Sequence, residues 1–197
     1  MSGQPGDLRR ADWKVEPIPH PVAAAFLIQY HYSRSTPNTG RCFGLLSAGF
    51  QLGLDLAGAS LWIPPTRTAA EAIAGDEWRG VLACSRLACS PDAPRNAASY
   101  LLAASMRMID RERWPVLLTY ADTGQGHTGS IYRATGWSCD GPVPAGDVWE
   151  NDQGELRGRK RGGRTLLADE MRLAGYRRRP QLPKIRFVHR AGYVAHG

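Results

Sequence analysis

Apolar residues recur along this chain in short runs separated by turn formers, and the spacing within each run predicts its element. "PVAAAFLIQY", Pro21 to about Tyr30, reads as a helix, with proline in its first turn and alanines behind it. It ends at "HYSRSTPNTG", a polar loop rich in turn residues. Cys42 to Ile63 reads as two strands of a meander, with glycines that weaken or bulge them. "PPTRTAAEAIAGDEW" is then a loop and a short helix. "VLACSRLACS", Val81 to Ser90, is a buried strand interrupted by Arg86. The segment after Arg95 is a longer helix, with Ala98, Leu101, Leu102, Ser105, Met108 and Ile109 on one face at spacings of three and four. "PVLLTYA" is a strand, "GHTGSIYRATG" a helix, and Gly136 its carboxyl cap. After Gly141 the pattern loosens, and only Thr165 to Gly175 looks helical.

Strands alternating with helices predict an α+β fold, a central mixed β-sheet flanked by helices. The 197 residues suit a single domain, residues 1–197, with a basic carboxyl-terminal extension over residues 151–190. A P-loop GxxxxGK[ST] and a zinc-protease HExxH are both missing from the sequence.

Charge sharpens this picture. Residues 151–190 hold twelve Lys and Arg against four Asp and Glu, a net of +8 in a chain whose formal net charge is +7. A near-neutral body with a strongly basic carboxyl-terminal region suits a polyanion partner such as nucleic acid. A solvated basic face without a partner is the plainer alternative. No apolar run approaches the roughly 20 residues needed to cross a bilayer. The amino terminus has no apolar core of a signal peptide, and the four cysteines form no CxxC pair or metal-ligand spacing. A reduced, cytoplasmic protein is the expectation.

The candidate chemistry gathers where strands end. Asp122 follows the run Val116–Ala121, so it is expected in the cleft at the carboxyl end of that strand, as a base or as a cap of the next turn. His127 and Ser130 open the following helix, where backbone amides favour an anion or simply need capping. His31 and Tyr32 stand where a helix opens into a polar loop, placed to bind a base edge, shuttle a proton or ligate a metal, or merely to decorate a surface. Arg86 needs a carboxylate or phosphate partner in so apolar a strand, and Asp122 is one candidate. His31, Asp122 and His127 also make up a two-histidine, one-carboxylate set, although residues so scattered in sequence do not favour a metal.

The strand Val81–Ser90, the helix from Arg95, the strand Val116–Ala121 and "IYRATGW" resemble the core of the GNAT acyltransferases. In that family a [QR]xxGx[GA] loop at a helix amino end holds the coenzyme A pyrophosphate. The matching "RNAASY" keeps Arg95 but puts Ala98 in the glycine position and Tyr100 in the last small position, which weighs against acetyl-CoA. Ser99 is then the candidate donor contact in place of the glycine, beside Arg95, His127 and Ser130. Tyr132 matches the tyrosine that many of these enzymes use as a general acid; packing against Trp137 is its alternative role.

A narrower resemblance covers most of residues 20–190. "YHYSRS", "SRLACSPDAPRNAAS", "TYADTGQGHTGSIYRATGW" and "PKIRFVH" are similar, in order and spacing, to the Mom proteins of Mu-like phages. That resemblance implies a GNAT-like fold and conversion of adenine in DNA to its N6-carbamoylmethyl form, which shields phage DNA from restriction. For that chemistry Asp122, His31, Tyr32, Arg86 and Tyr132 are the candidate catalytic residues, and double-stranded DNA is the expected partner. Arg157, Arg159, Lys160, Arg161, Arg164, Arg177, Arg178, Arg179, Lys184 and Arg186 form the phosphate-contact set. The donor is not identified by any motif; an aminoacyl-tRNA, glycyl-tRNA for instance, has suitable atoms. Two other functions stay open: an acyl-CoA-dependent N-acetyltransferase and a non-catalytic DNA-binding phage protein.

Overall fold

The structure, a computed structural model, describes residues 6–47, 56–146, 148–161 and 164–190, without the side chains of Leu156, Lys160 and Arg161. In chain order the elements are β1 (Trp13–Pro17), α1 (His20–Tyr30), β2 (Arg41–Ser47), β3 (Leu56–Ile63), α2 (Arg67–Ala74), β4 (Val81–Cys89), α3 (Ala97–Met108), β5 (Val116–Asp122) and α4 (Ser130–Arg133). There follow β6 (Ser138–Val143), β7 (Val148–Glu150), β8 (Leu156–Arg157), β9 (Lys160–Arg161), β10 (Arg164–Thr165), α5 (Ala168–Leu173), β11 (Arg177–Arg179) and β12 (Lys184–Arg190).

Among the described residues seven strands form the main sheet, in the order β1-β2-β3-β4-β5-β12-β6. Every neighbouring pair is antiparallel except β4 and β5, which run parallel. This is the mixed sheet that the sequence pattern predicts. Strand alternation divides its side chains between two faces. On one face Phe43, Leu45, Trp62, Leu82 and Leu117 pack with Leu101, Leu102 and Met106 of α3 and with Trp137 and Phe187. On the other, Ala23, Phe26 and Leu27 of α1 cover Cys42, Ala59, Leu61 and Ala88, while Ala70 of α2 covers Val81, Ala83, Val116 and Leu118. Each large side chain buried this way contributes about 1.5–3 kcal/mol.

One polar device crosses the core. Ser60 Oγ of β3 and Ser105 Oγ of α3 lie 3.0 Å apart, and the Trp62 indole donates to Ser60 Oγ at 3.1 Å. Ser105 also donates to the Leu101 carbonyl at 2.7 Å, so these buried polar groups are satisfied within the α3–β3 contact.

Several sequence expectations need correction. On α3 the buried positions are Ala97, Leu101, Leu102, Ala104, Ser105 and Met106; Met108 is 40% exposed, because Met106 instead turns under Trp137 and accepts its indole N–H at 3.2 Å. The helix expected over "GHTGSIYRATG" is only the four residues of α4, since Gly126 and Gly129 adopt left-handed conformations (φ +72° and +78°) that turn the chain before it. Past Gly141 the chain is largely extended. β7, β8 and β11 form a second sheet and β9 and β10 a two-stranded ribbon, while α5 is confined to Ala168–Leu173. Prolines and charges obscure strands this short in the sequence. The meander over Cys42–Ile63 is present as β2 and β3, with its middle, residues 48–55, outside the described residues.

Candidate active site

β4 and β5 pair only over Val81–Ala83 against Val116–Leu118 and then part. The cause lies on the other edge of β4. Against β3, Leu61 faces Arg86 and Trp62 faces Cys84, so Ser85 is an extra residue in the ladder. Such a bulge bends a strand and increases its twist. Thr119 Oγ1 marks the apex of the split, donating to the Cys84 carbonyl at 3.2 Å. Beyond it β5 stays paired with β12, and a cavity of about 370 Å³ opens between the strands.

The polar lining comes from four segments: His31 and Tyr32 behind α1, Ser85 and Arg86 on the bulge, Thr119 and Tyr120 on β5, and His127, Thr128, Ser130 and Tyr132 around α4. His31, Tyr32, Arg86, His127, Ser130 and Tyr132 are thus brought together as the sequence suggests. Gly129 makes the turn to α4 possible. Its φ is positive, and a Cβ there would lie 2.2 Å from Phe187 Cζ, so the loop rests directly on the Phe187 ring.

His31 is buried, and its state is legible from its neighbours. The Ser33 backbone N–H donates to His31 Nδ1 at 3.1 Å, with the Ser33 hydroxyl 2.9 Å away. A ring nitrogen that accepts a backbone N–H carries no proton, so the neutral ring bears its proton on Nε2. Burial, then the charges of Arg86, His127 and Lys184, lower its pKa to about 4. His31 is therefore a neutral hydrogen-bond donor. Its ring centroid lies 4.3 Å from that of Tyr32, which meets His127 edge-on at 5.5 Å.

Asp122 ends β5 as expected, but its side chain does not line the cavity. Its Oδ1 accepts the Gly124 N–H at 3.1 Å, capping the turn Thr123–Gln125. Its Oδ2 accepts the Tyr32 hydroxyl at 3.3 Å and stands 3.2 Å from Lys184 Nζ. The carboxylate is thus both a cap and the group behind Tyr32. Burial and the Asp122 charge raise the Tyr32 pKa to about 12, so this phenol stays protonated. Tyr132 is also raised, chiefly by burial; its ring lies 5.9 Å from Trp137 and 5.1 Å from Phe187, so it packs as well as lining the cavity.

Arg86 corrects another expectation. Its Nε donates to the Ser35 carbonyl at 2.9 Å, and its Nη1 donates to the Ser85 carbonyl at 2.7 Å and to Ser85 Oγ at 3.2 Å. All three acceptors are neutral. Asp122 is engaged by Lys184 instead, because β12 carries Lys184 directly opposite Asp122 in the ladder.

The donor-contact candidates divide. His127 and Ser130 line the cavity, but His127 precedes α4 instead of opening it, and so short a helix supplies little dipole. Arg95 and Ser99 do not line it. Arg95 Nε pairs with Asp7 Oδ1 at 3.0 Å, and its backbone is bridged to the Gly6 carbonyl and the Leu8 N–H. The Ser99 hydroxyl donates to the Asn96 carbonyl at 3.0 Å. Tyr100 does not crowd the α3 amino end; it leans on the core and donates to the Trp13 carbonyl at 3.3 Å. Among the described residues no group of three or more His, Cys, Asp or Glu side chains is placed to hold a metal ion, and Tyr32 stands between the two histidines of the proposed set.

In the phosphate-contact set, Arg177 pairs with Asp152 at 2.5 Å, Arg179 with Glu150 at 2.8 Å, and Arg164 with Glu170. Arg157 reaches the Tyr176 hydroxyl at 3.4 Å. Arg178 belongs to β11 and is exposed, as is Arg159 between β8 and β9. The side chains of Lys160 and Arg161 lie outside the described residues. Lys184 and Arg186 lie in the central sheet, on β12, with Arg186 paired to Asp140 at 2.5 Å. Sequence reasoning missed Ser33, Ser85 and Thr119, which orient the site, and the role of Lys184 beside Asp122. Small polar residues carry no signal until their partners are placed.

No helix among the described residues is long and apolar enough to cross a membrane. The fold is that of the GNAT acetyltransferases. A GCN5-related N-acetyltransferase of Kribbella flavida aligns with a TM-score of 0.53 at 11% identity, covering 92% of this chain and 99% of that one. A spermidine N-acetyltransferase of Vibrio cholerae aligns with a TM-score of 0.53 at 10% identity, covering 91% of this chain and 94% of that one. No curated protein matches the chain in sequence. The Mom protein family matches residues 12–161.

Proposed function

Since the chain belongs to the Mom protein family, we propose that it converts adenine in DNA to N6-carbamoylmethyladenine and so shields phage DNA from restriction. The observation that carries this reading is the cavity where β4 and β5 part, whose polar groups come from the segments that resemble that family.

The adenine amine is a weak nucleophile, because its lone pair is delocalised into the ring, and the base must leave the duplex stack at a cost of a few kcal/mol. In this reading the extruded adenine enters beside Tyr32. As N6 attacks the electrophilic carbon of the donor, its proton passes to the Tyr32 oxygen while Tyr32 hands its own proton to Asp122. Lys184 holds Asp122 in place for that transfer. Tyr132, kept protonated by burial, donates to the leaving group. His31 contributes its Nε2 hydrogen to the bound base or donor. Asp122 acts through Tyr32 and is a relay and positioning group. The exposed arginines of residues 151–179 contact phosphates and hold the duplex.

The test is expression in bacteria, digestion of host DNA to nucleosides, and mass spectrometry. A modified deoxyadenosine carrying the carbamoylmethyl mass is expected. Unmodified adenine alongside abundant folded protein counts against the reading.

The fold itself favours a second reading, acyl-CoA-dependent N-acetylation. The pairing of Arg95 with Asp7 at the α3 amino end speaks against a pyrophosphate there. Calorimetry with acetyl-CoA decides: binding no tighter than roughly micromolar is expected, and tight stoichiometric binding favours acetylation.

A further inference from the structure

The cavity carries a positive charge that the described residues leave unbalanced. Among the described residues its lining includes no Asp or Glu. Asp122, the acid nearest in the chain to the β5 end of the cavity, is already held by Lys184, Tyr32 and the Gly124 amide. Arg86 stands on the bulge, half-buried, and among the described residues its hydrogen bonds go only to the Ser35 carbonyl and to Ser85. A guanidinium has five N–H donors, and those bonds engage Nε and Nη1. The two N–H groups of Nη2 have no partner there.

These bonds also fix the head group. Ser35 and Ser85 grip one side of it from two different segments, which prevents it from swinging out to water. A guanidinium so fixed, in a partly desolvated cavity, favours an anionic oxygen over a neutral one, because charge-assisted hydrogen bonds are about twice as strong as neutral pairs. His31 adds a second donor in the same cavity, its Nε2 hydrogen, and Ser130 adds a hydroxyl.

We infer that Arg86 is an oxyanion clamp, and that the molecule filling this cavity presents a phosphate or carboxylate oxygen to Nη2. Taken with the proposed function, on which this step rests, the adenine or the group donor enters the cavity together with an anion. Two sources share that chemistry: a phosphate of a polynucleotide or nucleotide end, and the carboxylate of a small donor. Arg86 discriminates against neutral donors of the same size.

The experiment uses the full chain without DNA. Inorganic phosphate and sodium acetate are titrated separately at constant ionic strength, held with sodium chloride, while the ring signals of His31 and His127 are followed by NMR. A saturable shift of both rings is expected with at least one anion, and Arg86→Gln weakens it at least tenfold. Preference for phosphate assigns the polynucleotide source; preference for acetate assigns the carboxylate source. Absence of saturation with either anion at tens of millimolar overturns the clamp, as does equal saturation in folded Arg86→Gln protein. If Arg86→Gln fails to fold, Arg86→Lys replaces it: the single ammonium cannot reproduce the fork, so the same weakening is expected, and undiminished binding overturns the clamp. Because the readout is anion binding by the free protein, it fails or succeeds independently of whether adenine is modified in cells.

Discussion

The Tyr32 hydroxyl donates to Asp122 Oδ2 across 3.3 Å, joining residues 90 positions apart in the chain and tying the loop after α1 to the end of β5. Lys184 stands 3.2 Å from the same oxygen. The pair therefore works as a phenol–carboxylate unit with a fixed countercharge, Tyr32 at the cavity wall and Asp122 behind it.

If that unit relays the N6 proton, Asp122→Asn and Tyr32→Phe each lower the rate about 10²–10⁴-fold, the usual range for loss of acid–base function. The double variant falls little further, because both residues serve one step. Asp122→Asn keeps its size, and the fold and DNA affinity are expected to survive. Nucleoside mass spectrometry on DNA from expressing cells gives the comparison; near-normal modification in Asp122→Asn reduces the residue to a cap of the turn Thr123–Gln125.

His31 makes a prediction about pH. Its folded pKa is about 4 against an ordinary 6.5, so between those values the unfolded chain binds a proton that the folded protein refuses. Its contribution to stability is fully present above about pH 6.5 and is lost as the pH falls through about 4. NMR titration of the ring is expected to show His31 neutral at pH 5, and His31→Gln is expected to flatten the pH dependence of stability in that window. A His31 ring that titrates near 6.5 contradicts the buried, neutral assignment.

Gly129→Ala places a methyl group 2.2 Å from Phe187 Cζ on a backbone with φ of +78°. Overpacking costs about 1–3 kcal/mol, and the left-handed conformation about 1–2 kcal/mol more. Urea unfolding measures the loss directly. Gly126→Ala, also at positive φ but with no atom within 4 Å of the added carbon, incurs only the conformational part.

For DNA, neutralising Arg177, Arg178 and Arg179 together is expected to weaken binding to unrelated duplexes alike. Removing one phosphate contact lowers the slope of log K against log salt by about 0.9. Asp152→Asn and Glu150→Gln remove the acids that pair with Arg177 and Arg179, and shift affinity the other way. Fluorescence anisotropy across a salt series reads both effects. An unchanged slope in the triple variant removes β11 from the interface.

The sequence by itself determined what depends on near neighbours. Proline and alanines in the first turns forecast α1, apolar runs forecast β4 and β5, and the last residue of β5 forecasts Asp122 at a strand end. The concentration of arginine in residues 151–190 is likewise a property of composition. Short segments after Gly141 were not legible, because strands of two or three residues have no measurable period and are held by partners such as Trp149, buried between β8 and β11. Only the tertiary structure decided the site. The extra residue at Ser85 depends on how β3 and β4 align, and that bulge splits β4 from β5 to make the cavity. Whether Asp122 meets Arg86 or Lys184 depends on β12 returning beside β5 in a register that sets Lys184 opposite Asp122. Local propensity acts over a few residues, whereas ladder register and ion pairing are set by contacts between segments far apart in the chain, and those exist only once the chain has folded.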